Sequence, residues 1–297
     1  MLHAAPTAAQ KRAAFRAGLN SGKLQRFPGA FNPLSAKLIE REGFEGVYVS
    51  GAVLSADLGL PDIGLTTITE VAGRAQQIAR VTALPALVDA DTGFGEPMNA
   101  ARTVQLLEDA GVAGMHLEDQ VNPKRCGHLD GKDVVDRDVA VRRISAAASA
   151  RRDPDFVIAA RTDAAGVHGL DDAIERAKAF ADAGADLIFP EAMTGPEDFE
   201  KMRAAVDVPI LANMTEFGKS KLLDAPTLES LGVNLVIYPV TLLRIAMHAA
   251  ETALREIAGE GTQEGLLDRM QHRRDLYDLL DYPAYNTFDQ NIFTFSV

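Results

Sequence analysis

Two hydrophobic periods alternate along the chain, and glycine marks the points where one gives way to the other. Four segments align on this mark: REGFEGVYVS (41–50), DAGVAGMHLE (109–118), DAGADLIFPE (182–191) and SLGVNLVIYP (230–239), each with Gly as its third residue. A helix-like stretch precedes each Gly and a short apolar run follows it. Glycine enters left-handed backbone without a Cβ penalty, so the pattern predicts a helix closed by Gly and then a buried strand. Before the third copy, Leu170, Ala173, Ile174, Ala177 and Ala181 recur at helical spacing, with Asp171, Glu175 and Lys178 on the opposite face. Other strand-length runs fill the gaps: ALPALVDAD, FVIAARTD, VPILANMTE and a weaker FPGAFN near the start. About eight strands alternating with helices is the count of a closed parallel barrel, so the expected fold is α/β, a single (β/α)8 TIM-barrel domain over 1–297. A doubly wound sheet is the runner-up. It normally carries a Gly-rich phosphate turn, and neither DTGFGEP (91–97) nor CGHLDGK (126–132) has that spacing.

Composition narrows the function more than the fold. A chain of 297 residues, 47% apolar, buries a large core. A formal charge of -12 argues against nucleic acid, whose phosphates demand a basic face. No apolar run approaches the ~20 residues that span a bilayer, so no membrane is expected. There is one cysteine. It cannot form an internal disulfide, and a reducing, cytoplasmic home is expected.

In a parallel barrel the chemistry sits at the C-terminal strand ends. Here those ends are polar: Tyr48 and Ser50, Asp89 and Asp91, Glu118, Arg161 and Asp163, Glu191, Asn213 and Thr215. Any one of them has an ordinary reading as a helix cap or a satisfied barrel polar. Together they would repel unless a hard cation joined them, and oxygen donors without His or Cys favour Mg²⁺ or Mn²⁺. Asp89 and Asp91 are two residues apart, so a strand would turn both to one side. Arg161 brings the opposite charge, in a planar form suited to a carboxylate. No lysine falls in a predicted strand, which argues against Schiff-base chemistry. His116 reads as a core group.

The segment EDQVNPKRCGHLDGK (118–132) is polar and long for a barrel connection, and is expected to act as a mobile active-site loop. Cys126 rides on it. Free cysteine is usually a small buried hydrophobe, but Lys124, Arg125 and His128 are neighbours that favour thiolate. Substrate anions would push the same group back towards the thiol, giving an acid near neutral pH.

KRCGH (124–128), DADTGFG (89–95), ARTD (160–163), FPEA (189–192) and LANMTEFG (211–218) together resemble the isocitrate lyase and phosphoenolpyruvate mutase superfamily. The resemblance runs from GAFNPLSAKLI to MQHRRDLYDLLDY, essentially the whole chain. It implies a barrel, commonly tetrameric, whose C-terminal helix is exchanged between subunits. The region from about 245 to 297 would be that oligomerisation segment, with Tyr282, Tyr285, Phe288, Phe293 and Phe295 as its apolar surface. By motif, Asp89 and Asp91 would hold Mg²⁺, with Asp62 and Glu118 behind them. Ser50, Gly51 and Ala52 would meet the keto-acid end of the substrate. Cys126, Gly127, Arg161, Glu191, Asn213, Thr215, Arg244 and Arg273 would bind the remaining carboxylates.

The activity implied is reversible retro-aldol cleavage of (2R,3S)-2-methylisocitrate to pyruvate and succinate, as in propionate catabolism by the methylcitrate cycle. Tyr48 is a candidate base, beside a metal-bound water or a carboxylate; Cys126 is the acid, and Arg161, His128 and Asn213 stabilise the developing charge. Phe189, Ile237 and Pro239 are expected to leave room for the extra methyl, a preference of about 1 to 3 kcal/mol. Isocitrate and 2,3-dimethylmalate are the rival substrates. A phosphonate-cleaving enzyme or mutase would need no thiol, and a catalytically silent barrel would be a binding protein.

Overall fold

The structure, a computed structural model, describes residues 6–125, 127 and 131–293. Its strands are β1 (Gln25–Pro28), β2 (Val47–Val49), β3 (Ala86–Asp89), β4 (Gly114–Glu118), β5 (Val157–Thr162), β6 (Leu187–Pro190), β7 (Leu211–Asn213) and β8 (Leu235–Tyr238). The α-helices are α1 (Ala8–Leu19), α2 (Pro33–Arg41), α3 (Gly51–Asp57), α4 (Ile68–Ala79), α5 (Pro97–Asp109), α6 (Arg137–Ala150), α7 (Leu170–Asp182), α8 (Pro196–Ala205), α9 (Ala225–Ser230), α10 (Thr241–Glu260), α11 (Arg273–Leu279) and α12 (Tyr282–Phe293). Strands β2 to β6 form one parallel arc in chain order, and β1, β8 and β7 form another. Single parallel bridges, Gly29 with Tyr48 and Ile188 with Ile210, bring the arcs together at two seams. The eight expected strands thus stand in a ring, in sequence order.

The four glycines of the repeat do what the pattern requires. Gly43, Gly111, Gly184 and Gly232 have φ of 79, 80, 101 and 75°. Each directly follows the residue that caps its helix. The α7 face is also as expected in Ala173 and Ala177, and it adds Arg176 and Phe180, which are buried too.

Alternation along the strands separates two cores. Phe27, Tyr48, Leu87, Leu187, Phe189 and Leu235 point inward, above Phe15 and Leu19 of α1. Outside the ring, Val104, Leu107, Ile144 and Phe199 pack helices against strands. Helix α1 closes the N-terminal end by capping its neighbours: Lys11 Nζ donates to the Ala79 and Thr82 carbonyls at 2.7 and 2.6 Å, and Arg12 Nη2 to that of Glu108 at 2.7 Å. The floor is therefore sealed and the opposite mouth is open to chemistry.

Two segments beyond the repeat bear on that mouth. The loop after β4 is pinned at its base, where Val121 N–H donates to the Asp133 carbonyl at 2.9 Å and Val135 N–H to that of Asp119 at 2.8 Å. Above the base, Lys124 and Gly127 are buried. Helices α10, α11 and α12 contribute no buried residue. Leu254 is 66% exposed and Phe293 82%.

Candidate active site

A cavity of about 330 Å³ opens at the C-terminal ends of the strands, lined among others by Tyr48, Asp89, Arg161, Glu191, Asn213 and Thr215. Strand register explains the gathering. Glu118 lies beside Arg161 and Arg161 beside Phe189 on consecutive strands, so one level of the ring presents carboxylate, guanidinium and aromatic ring together. Asp89 stands beside His116 in the same way.

Asp89 and Asp91 do meet, but not through the pleat. Strand β3 ends at Asp89, and Asp91 lies beyond it with a left-handed φ of 45°. Its N–H donates to Asp89 Oδ1 at 3.0 Å, and the Gly51 N–H donates to Asp89 Oδ2 at 3.1 Å. Burial would raise both carboxyls. The neighbouring His116, then the charges of Lys124 and Arg161 and the Asp91 N–H, bring Asp89 below its usual range, whereas burial and the adjacent Asp89 push Asp91 up. Lys124 Nζ lies between Asp62, with which it forms a short ion pair, and Asp91 Oδ1 at 2.9 Å. Despite its burial this amine is held above its usual range by Glu118, Asp89 and Asp91, so it is an ammonium and not a nucleophile.

Arg161 is the hub of the cationic side. Nε donates to Asp163 Oδ2 at 2.8 Å and lies 3.3 Å from Glu118 Oε2, while Nη1 is 3.4 Å from Glu191 Oε2. Its guanidinium stands 5.1 Å over the Phe189 ring. Asn213 Nδ2 is within 3.3 Å of Glu191. Arg244 reaches the cavity rim, where Nη1 donates to Glu216 Oε2 at 2.6 Å. Ser50 caps α3, its oxygen accepting the Val53 N–H at 3.4 Å, and Ala52 lines the cavity beside it.

Several expectations need correction. Tyr48 hydrogen-bonds His116 Nε2 at 2.7 Å, and burial with nearby Asp89 pushes the phenol well above its ordinary range. A phenol held that high favours its protonated form, which weighs against it as the base. Arg273 starts the exposed α11 and does not line the cavity of its own chain. Ile237 is buried in the inner core, leaving Phe189 and Pro239 as the lining residues of that expected trio. Of the cations flanking the thiol in sequence, Lys124 pairs with the acidic group and Arg125 donates to the Pro123 and Lys124 carbonyls. Cys126 and His128 themselves lie outside the described residues, as does Phe295.

Three residues escaped the sequence reading: Lys124 as counter-charge, Asp163 as the brace of Arg161, and Lys132, which donates to Asp163 Oδ1 at 2.8 Å. A lysine flanking a run of acidic strand ends was the available signal for Lys124. Asp163 was marked as a polar strand end but not as the partner of Arg161, and nothing local marked Lys132.

The residues suit a divalent cation. Glu118 Oε1 is buried with no hydrogen-bond partner among the described residues, the donors are oxygen, and an ammonium already balances part of their charge. No three acidic or imidazole groups among the described residues stand close enough to hold an ion alone, so water or substrate oxygen would complete the shell. Asp89 and Asp91, with Glu118 and Asp62, are the carboxylates that could hold the cation.

A parallel eight-stranded barrel with carboxylates, a braced arginine and a cation site at one mouth defines an enzyme of small carboxylic acids. Residues 15–258 match the family model described as phosphoenolpyruvate phosphomutase, and the chain belongs to that family, within the PEP mutase/isocitrate lyase superfamily. The chain is 69% identical over 292 residues (98% of this chain, 94% of the relative) to a protein of Corynebacterium glutamicum named probable 2-methylisocitrate lyase 2. It is 45% identical over 282 residues (94% and 95%) to 2-methylisocitrate lyase of Escherichia coli K12. Among solved structures it resembles 2,3-dimethylmalate lyase, with TM-score 0.89, 33% identity and coverage of 97% and 96%. It also resembles phosphonopyruvate hydrolase in complex with oxalate and Mg²⁺, with TM-score 0.85, 29% identity and coverage of 94% and 98%. No helix among the described residues is long and apolar enough to cross a membrane.

Proposed function

We propose that the protein is a Mg²⁺-dependent carbon–carbon lyase that cleaves 2-methylisocitrate to pyruvate and succinate. The observation that carries this reading is the pairing, at one mouth, of the Asp89–Asp91 acidic site with the braced Arg161. A hydroxy acid bearing further carboxylates offers one end to each. The names of the 69% and 45% identical relatives support the substrate. When bound, Mg²⁺ would polarise the substrate hydroxyl and the adjacent carboxylate.

The chain's own residues supply the rest. Asp89 and Asp91 hold the cation, and Ser50, Gly51 and Ala52 line the keto-acid end. Arg161, Asn213, Thr215 and Arg244 receive the remaining carboxylates, with Glu191 orienting Arg161 and Asn213. A carboxylate of the acidic group accepts the hydroxyl proton, since Tyr48, buried against His116, retains its own. As the bond breaks, electrons flow onto the departing succinate carboxylate, where the Arg161 guanidinium opposes the charge. His128 adds to that stabilisation, and Cys126 gives the proton to carbon. Phe189 and Pro239 form the apolar side that admits the methyl.

Purified protein is offered 2-methylisocitrate, isocitrate and 2,3-dimethylmalate with Mg²⁺ or EDTA, and pyruvate and glyoxylate are measured. Pyruvate from methylisocitrate, lost with EDTA and with Cys126→Ser, is expected. Glyoxylate from isocitrate as the main product, or preference for dimethylmalate, would move the substrate. Silence on all three would favour a binding protein.

A further inference from the structure

We propose that Lys132 is a positioning residue of the barrel mouth: its ammonium clamps the Gly127 carbonyl to the Asp163 carboxylate, fixing the loop main chain relative to Arg161. The Lys132 side chain is 3% exposed and that of Asp163 0%. Nζ donates to the Gly127 carbonyl at 2.5 Å and to Asp163 Oδ1 at 2.8 Å. An ammonium is buried at such a place only when its partners are fixed and well aligned.

Both partners meet that demand. Asp163 is locked to the barrel: Oδ2 accepts Arg161 Nε at 2.8 Å, Oδ1 accepts Arg161 Nη2 at 3.1 Å, and its N–H donates to Asp119 Oδ1 at 2.9 Å. One carboxylate therefore sets the guanidinium and anchors the clamp. Gly127 lies against the same arginine, so closely that a Cβ there would clash with Arg161 Nη2 and fall 2.6 Å from Glu191 Cγ. The lysine's end rests on Gly166, where a Cβ would come within 3.2 Å of Cε. The first half of the loop has ties of its own. Gln120 exchanges hydrogen bonds with the Arg125 main chain at 2.9 and 2.8 Å. Lys132 supplies the tie on the far side. Losing the amine would free Gly127 while leaving the loop's base and the barrel intact.

For its effect on turnover the inference rests on the lyase reading; for its effect on the loop it does not. Lys132→Met and Lys132→Arg are made in the full-length chain, and amide hydrogen exchange over 122–131 is followed in metal-free protein. In the Met variant, exchange near Gly127 is expected to quicken about 10-fold or more, with the rungs at 121 and 135 and the melting temperature little changed. The kcat is expected to fall on the order of 100-fold, with a smaller change in KM, because a small displacement of the reacting geometry suffices. The Arg variant, which keeps charged donors, restores much of the exchange protection. Unchanged exchange in the Met variant, or kcat within about threefold of wild type, overturns the proposal. Should the wild type turn over none of the substrates, exchange still decides the clamp while the lyase reading falls. Should Lys132→Met not fold, Lys132→Gln, an uncharged donor, takes its place under the same criteria.

Discussion

His116 illustrates how far a single side chain departs from its spacing in the sequence. It reads there as a core group, and it is wholly buried, yet it lies 3.6 Å from Asp89 Oδ1 and edge-on to Phe189. The proximity to Asp89 suggests an ion pair, but burial outweighs that carboxylate and lowers the imidazole to about 4, so it is neutral and the contact is not ionic. The sign of the consequence follows. Between the unfolded value of 6.5 and about 4 the unfolded chain binds a proton that the folded chain refuses. This group's contribution is therefore present above pH 6.5 and lost as pH falls through that window, roughly 3 kcal/mol in all. Burial raises Asp119 to about 6, and raised carboxyls act oppositely in the same range. The test is thus the difference between wild type and His116→Gln in urea unfolding at several pH values. A gap that narrows on acidification by that amount is expected, and a constant gap would mean a protonated His116. Lys124 is the contrasting case. Its charge was legible and its partners were not, because only the fold brings Asp62 and Asp91 to it.

At the level of elements the sequence was most informative, because Gly in the αL position is a local requirement. Gly111 has φ 80°, and a Cβ built there would meet only the Ala8 Cβ, at 4.0 Å, so Gly111→Ala tests backbone strain almost alone. A loss of about 1 to 2 kcal/mol is expected in urea unfolding. Gly184→Ala adds steric cost, since its Cβ would meet that of Ala148 at 3.0 Å. Equal losses at the two sites would mean that strain alone sets the cost. The same local logic found the strands and the α7 face, including Ala173 and Ala177. It missed Arg176, whose burial depends on bonds to Asp119 at 3.2 Å and the Val135 carbonyl at 2.8 Å, distant in sequence. Lys132, and the bonds by which Asp163 holds Arg161, were missed for the same reason. A pattern records which face is apolar, whereas a buried ion network is defined by partners from several strands and loops.

For the whole molecule the deciding feature is the apolar tail. Helix α10 leaves Ile245 and Leu254 at 64 and 66% exposure, and α12 leaves Phe288 and Ile292 at 51 and 57%. Isolated exposed apolar residues are ordinary, but two helices without a buried residue form a surface that water alone does not favour. A second copy of the chain is the occupant the superfamily resemblance implies, and it would also bring α11, with Arg273, against another molecule. Sedimentation of the 31.8 kDa chain is expected to give a multiple of that mass. Phe288→Asp with Ile292→Asp should shift the protein towards the monomer, because each charge would have to be desolvated at the interface. If the assembly then loses activity while the barrel stays folded, the mouth needs its neighbour, and Arg273 regains a place in the substrate site. If the monomer remains fully active, the site is complete within one chain and Arg273 has no part in it.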